Sequence, residues 1–188
     1  MSNILLEVNN LKTTEYADPV SFSVCGGDIV CIFGMNGSGK SLLIKSICNI
    51  FKYYSGNVNY LIDINKRGVC LQFPEHLLYK ETAYKEALFI TNNHQEAEDV
   101  LKEINAEKDI SPFSLSDGQK RLLFIYGILK SKDLIIFDEP FVSLDKESKQ
   151  DVLYKMNHAA KNGKGIIYTA NRAEDKVISG KIIEIKYP

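Results

Sequence analysis

The chain has 188 residues, 45% hydrophobic, 25% charged and 10% aromatic, the usage of an ordinary globular domain. Lys+Arg number 23 and Asp+Glu 24, a net charge of −1, so no global positive field draws it to nucleic acid or to an anionic membrane surface. The longest apolar stretch, residues 122–129, is far short of the ~20 residues a bilayer span needs.

Residues 1–7 carry a carboxylate and no basic region, so no signal peptide is expected. Cys25, Cys31, Cys48 and Cys70 form no CxxC pair and no metal spacing. Their apolar surroundings read as buried thiols in a reducing compartment, and a cytoplasmic location is expected.

In chain order, residues 5–11 and 19–24 form two antiparallel strands joined by a turn. Residues 28–33 are a short apolar run entering a glycine cluster, a buried strand. A helix apolar on most sides follows over 41–51. Residues 69–71 form another short strand. No strand signal lies between 74 and 112, where residues 82–104 have helical periodicity and many charges. A helical insert is expected there, within a helical subdomain over approximately 74–130. Residues 122–130 form an apolar helix, and 134–137 a buried strand that ends at Asp138 and Glu139. An amphipathic helix over 146–161 closes at Asn162-Gly163, and 165–169 and 181–186 are the last strands. Short apolar runs alternating with helices predict an α/β fold over 1–188 as a single domain. Its sheet is mainly parallel with helices on both faces, beside a small antiparallel N-terminal part.

Gly34-Met-Asn-Gly37-Ser-Gly39-Lys40-Ser41 fits the phosphate-loop pattern G-x-x-x-x-G-K-[ST], between a strand and a helix as the pattern requires. Glycines let the backbone turn its N–H groups inward, so the amides of Asn36, Gly37, Ser38, Gly39, Lys40, Ser41 and Leu42 are candidates to cradle phosphate. The helix N-terminus adds positive potential. Lys40 can reach β- and γ-phosphates, and the Ser41 hydroxyl can ligate Mg²⁺. ATP and Mg²⁺ are the expected ligands, in a P-loop NTPase.

Asp138 and Glu139 stand at the carboxyl end of a buried strand, where open α/β sheets bind ligands. Asp138 can hold the Mg²⁺ shell through water, and Glu139 can polarise a water for in-line attack on the γ-phosphate.

Leu115-Ser116-Asp117-Gly118-Gln119, ahead of Asp138 and followed by a helix, resembles the signature motif of ABC-type ATPases. Phe141-Val-Ser143-Leu144-Asp145 is similar to their D-loop, and Gln72 to their Q-loop glutamine. The run from Leu71 to Thr82, with Ser111 to Ser116, resembles the energy-coupling-factor and cobalt-type members, which take up vitamins and metal ions. A glutamine often found where Leu77 stands is absent. The chain ends at Pro188, without the C-terminal extension many of those subunits carry.

The resemblance implies that Gln72 joins Ser41 and Asp138 near Mg²⁺ and serves hydrolysis with Glu139. It implies a head-to-tail homodimer, or a heterodimer with a second ABC ATPase, in which Ser116, Gly118 and Gln119 touch ATP held by the partner. It further implies docking on a transmembrane permease from the inner face of the cell membrane, with no nucleic-acid partner. Ser116-x-x-Gln119 is equally a capping box for a helix start. Asp117 replaces a glycine, and its carboxylate either meets phosphate or turns to solvent. Asn171 stands where the family has a histidine, which makes it a third catalytic candidate. Tyr16 is the candidate to stack on adenine, with a surface tyrosine as the alternative. The segment between Gly56 and Gln72 is short, so one β-hairpin of the family is expected to be trimmed. Two other readings remain: a soluble ABC-type ATPase without a transporter, and a weakly hydrolysing regulatory module, motivated by Asn171 and Asp117.

Overall fold

Apolar side chains on alternate positions of a central sheet build two cores, one against each face. The computed structural model describes residues 3–176 and 180–185. A three-stranded antiparallel sheet contains β1 (Ile4–Lys12), β2 (Val20–Cys25) and β4 (Ser55–Tyr60), in the order β2-β1-β4. The central sheet contains β3 (Ile29–Phe33), β5 (Arg67–Cys70), β6 (Leu134–Phe137), β7 (Gly165–Ala170) and β8 (Lys181–Glu184). Its order is β5-β6-β7-β3-β8, and every pairing is parallel. The helices are α1 (Lys40–Ile47), α2 (Ala83–Thr91), α3 (His94–Glu103), α4 (Asp117–Ser131) and α5 (Lys146–Lys161).

Along β3, Ile29 and Cys31 join a core with α2 to α5, while Val30 and Ile32 join a core with α1 and the antiparallel sheet. The second face is therefore shared between one helix and the small sheet, a refinement of the expected helices on both faces. In register, Phe33 lies opposite Ala170, Phe137 opposite Tyr168, and Cys70 opposite Phe137. Parallel strands in this register deliver the segments after β3, β5, β6 and β7 to one edge.

Several boundaries differ from the sequence reading. The helix expected over 41–51 ends at Ile47, because Asn49 turns left-handed at φ 57°. The single periodic segment 82–104 is two helices. Asn92 ends α2 at φ 53°, and the Asn93 side chain caps α3 by accepting from the N–H groups of Gln95 and Glu96. The helix expected over 122–130 begins at Asp117, because Ser116 and Gln119 form a complete capping box. Strand β4, Ser-Gly-Asn-Val-Asn-Tyr, carries no strand signal in its sequence; it lacks an apolar run and is held by pairing with β1. The last strand ends at Glu184, and the expected end at Lys186 lies outside the described residues.

Candidate nucleotide-binding site

The phosphate loop leaves β3 at Gly34. A Cβ there would lie 2.5 Å from Ser38 Oγ and 2.6 Å from the Ile185 carbonyl oxygen, so only glycine lets the loop pass. Gly39, at φ 93°, is the N-cap of α1 and offers no side-chain cap. The first-turn amides are thus left for an anion. Lys40 is buried, and its ammonium folds back onto the loop, donating to the carbonyls of Gly34 and Met35 at 2.9 Å each. Ser38 is buried, and its Oγ has no hydrogen-bond partner.

The acidic pair faces this loop from the end of β6. Asp138 is buried; its Oδ1 accepts from the Thr169 hydroxyl at 2.8 Å, and its Oδ2 has no hydrogen-bond partner. Glu139 stands at φ 51°, left-handed although it precedes Pro140. Strain of this kind costs about 1–3 kcal/mol and persists only where surroundings impose it. The Glu139 N–H donates to Thr169 Oγ1 at 2.7 Å, and its carbonyl accepts from Arg121 Nη1 at 3.1 Å. Gln72, just beyond β5, donates its Nε2 to Glu139 Oε2 at 3.0 Å, which leaves its Oε1 as the atom able to meet a cation. Asn36, Gly37, Gly39, Lys40, Ser41, Leu42, Gln72 and Glu139 line one open groove.

Asn171, just beyond β7, donates its amide to Asn36 Oδ1 at 2.6 Å and so reaches the phosphate loop. Tyr16 is 81% exposed and lines a neighbouring hollow with Gly37, Ser38, Gly39 and Leu42. Ser116, Gly118 and Gln119 do not line the phosphate groove. They form the start of α4, where a Cβ on Gly118 would sit 3.9 Å from the Ser143 carbonyl oxygen of the D-loop-like segment. Gln119 is engaged within the chain at both ends of its amide. Its Oε1 accepts from the Ser116 N–H at 3.0 Å, and its Nε2 donates to the Ile104 and Asn105 carbonyls. Asp117 turns to solvent, its side chain 83% exposed and near Lys120.

The donor set fits Mg²⁺. Asp138 Oδ2 is a buried carboxylate oxygen in need of a partner, and Ser41 lies in the first turn of the facing helix. Among the described residues no group of three or more His, Cys, Asp or Glu could hold a metal. A hard cation here would take the rest of its shell from phosphate and water.

Thr169 and Arg121 are not legible as site residues from the sequence alone. The available signals were a hydroxyl at the end of an apolar strand and a cation beginning an apolar helical run. Neither pattern says what it touches.

A loop shaped for phosphate and a carboxylate pair facing it across the carboxyl edge of a parallel sheet make this a P-loop nucleotide-binding domain. The model of the ABC transporter family matches residues 17–142, and the chain belongs to that family. It is 34% identical to the energy-coupling factor transporter ATP-binding protein EcfA2 of Caldanaerobacter subterraneus subsp. tengcongensis, over 87% of this chain and 66% of that protein. It is 33% identical to EcfA2 of Clostridium acetobutylicum, over 84% of this chain and 64% of that protein. It therefore spans just under two thirds of the length of these relatives. With EcfA1 of Fusobacterium nucleatum it shares 31% identity over 97% of this chain and 81% of that protein. A solved structure described as the ATP-binding subunit of an ABC transporter shares the fold, with a TM-score of 0.83, 23% identity, and coverage of 96% of this chain and 85% of that one.

Proposed function

We propose that the chain is the ATP-binding and ATP-hydrolysing subunit of an ABC transporter of the energy-coupling-factor type. The observation that carries this reading is the shared groove in which Gln72 and Glu139 face the phosphate loop. In it, the loop amides and Lys40 bind the phosphates. Ser41, Asp138 and the Gln72 side-chain oxygen Oε1 serve Mg²⁺, which when bound offsets the charge that develops on the transferred phosphoryl group. Glu139 accepts the proton of the attacking water, and Asn171 stands beside the γ-phosphate. Tyr16 stacks on adenine.

Ser116 and Gly118, outside the groove of their own chain, serve a second subunit's nucleotide in a head-to-tail dimer. Gln119 contributes by fixing the start of α4. The relatives' identity as energy-coupling factor transporter ATP-binding proteins supports the energy-coupling-factor type. Exposed Phe73, Leu77, Tyr79 and Phe89, on and beyond the Gln72 loop, are the surface offered to a permease. Among the described residues no helix is long and apolar enough to cross a membrane. Attachment to the inner face of the cell membrane would therefore come through that partner.

The test is Glu139→Gln, which keeps the shape and loses the base. Steady-state hydrolysis should fall, and gel filtration with ATP should show a larger, ATP-held species. No change in rate or size would place catalysis elsewhere. The weakly hydrolysing alternative draws on Asn171 and on Asp117, which is exposed beside Ser116 and Gly118.

A further inference from the structure

Six non-glycine residues among those described have positive φ. Four are Asn, a residue that tolerates the left-handed region; Glu139 and Ser143 are not. Glu139 also precedes Pro140, and a proline pushes the residue before it towards extended backbone. Two side chains outside the phosphate groove grip its main chain, one at each end.

We propose that Thr169 and Arg121 are positioning residues for Glu139, holding its left-handed turn so that its carboxylate faces the phosphate loop. This rests on the reading of Glu139 as the base for ATP hydrolysis.

The Thr169 hydroxyl is fully buried and doubly used. It gives its one proton to Asp138 Oδ1 at 2.8 Å and accepts the Glu139 N–H at 2.7 Å. Buried Arg121 donates Nη1 to the Glu139 carbonyl at 3.1 Å and Nη2 to the Gln72 carbonyl at 2.7 Å. One guanidinium therefore fixes both Glu139 and the residue whose amide meets its carboxylate. The planar fork spans two carbonyls that a lysine ammonium cannot span in the same way.

The experiment measures ATP hydrolysis by Thr169→Val, Thr169→Ser and Arg121→Lys, each also in a Glu139→Gln background, with ATP and Mg²⁺ varied. Thr169→Val should lower kcat about tenfold or more, as misplaced catalytic groups do. KM for ATP and the Mg²⁺ midpoint should stay put, and Thr169→Ser should recover most of the rate. Arg121→Lys should behave as Thr169→Val does. Neither should add a loss once Glu139 is Gln, because both act through it. Wild-type rates in Thr169→Val and Arg121→Lys overturn the proposal. So does a loss that persists in full on top of Glu139→Gln, or a rate restored by excess Mg²⁺, which would place Thr169 on Asp138 alone. If Thr169→Val does not fold, the Arg121→Lys cycle decides by the same criteria. Wild-type hydrolysis by Glu139→Gln would instead sink the underlying reading, whatever the other variants do.

Discussion

Asn171 and Asn36, 135 residues apart in sequence, meet through one amide hydrogen bond of 2.6 Å, joining the end of β7 to the phosphate loop. A histidine is expected at this place from the family resemblance. Asn donates a neutral hydrogen bond, about 1 kcal/mol weaker than a charge-assisted one. At the transition state that is roughly a fivefold loss of rate. Asn171→His should raise turnover several-fold at saturating ATP and leave ATP affinity almost unchanged. An unchanged or lower rate in a steady-state assay would remove Asn171 from the catalytic set.

Lys40 is the one cationic side chain in the phosphate loop, and its ammonium is held by the Gly34 and Met35 carbonyls. A full charge facing phosphate cannot be replaced by backbone dipoles. Lys40→Ala should lose the thermal shift that ATP gives the wild type, with the circular dichroism spectrum unchanged. A surviving ATP-dependent shift would mean that nucleotide binds elsewhere.

Glu86 ties the insert to the segment beyond Gln72. It is fully buried on α2, and its Oε2 accepts from the N–H groups of Tyr79 and Lys80 at 3.0 and 2.9 Å. These bonds hold the aromatic patch in shape: Tyr79 and Phe89 meet edge to face at 5.1 Å, with the Lys80 ammonium over both rings. Two lost hydrogen bonds are worth about 1 kcal/mol each, so Glu86→Ala should lower stability by about 2 kcal/mol. In a domain of this size the melting temperature should fall by about 6 °C. Trypsin should cut after Lys80 sooner than in the wild type. An unchanged melting curve would mean that the segment holds itself.

Of the free cysteines, Cys31 is buried and Cys48 half-buried. Burial, reinforced by the negative charge of Asp138, pushes the Cys48 thiol up to about 12, and burial also raises Cys31. Both stay protonated and unreactive at mildly alkaline pH. Mass spectrometry after iodoacetamide at pH 8 should show them unmodified until denaturant is added. Because the folded chain keeps these protons longer than the unfolded one, their stabilisation is complete below the ordinary thiol pKa of about 8.5. For Cys48 it falls away as pH rises from there towards 12. Rapid native alkylation of either would contradict this burial.

The features legible from residue order alone are local. The spacing from Gly34 to Ser41 carries the phosphate loop, because a short-range pattern of glycines, lysine and hydroxyl is the loop. The apolar runs of β3, β6 and β7 carry the parallel sheet, because strands buried on both faces need apolar residues throughout. The features that arise on folding are long-range or conformational. Gln72 meets Glu139 across 67 residues because β5 and β6 are parallel neighbours in register. Thr169 meets Asp138 and Glu139 because β7 is the next strand along. Periodicity cannot reveal the break at Asn92, since a left-handed residue ends a helix without disturbing its apolar spacing. Nor can it reveal that Asp117 faces water, or that Glu139 sits in a strained turn. Both depend on neighbours the chain acquires only by folding.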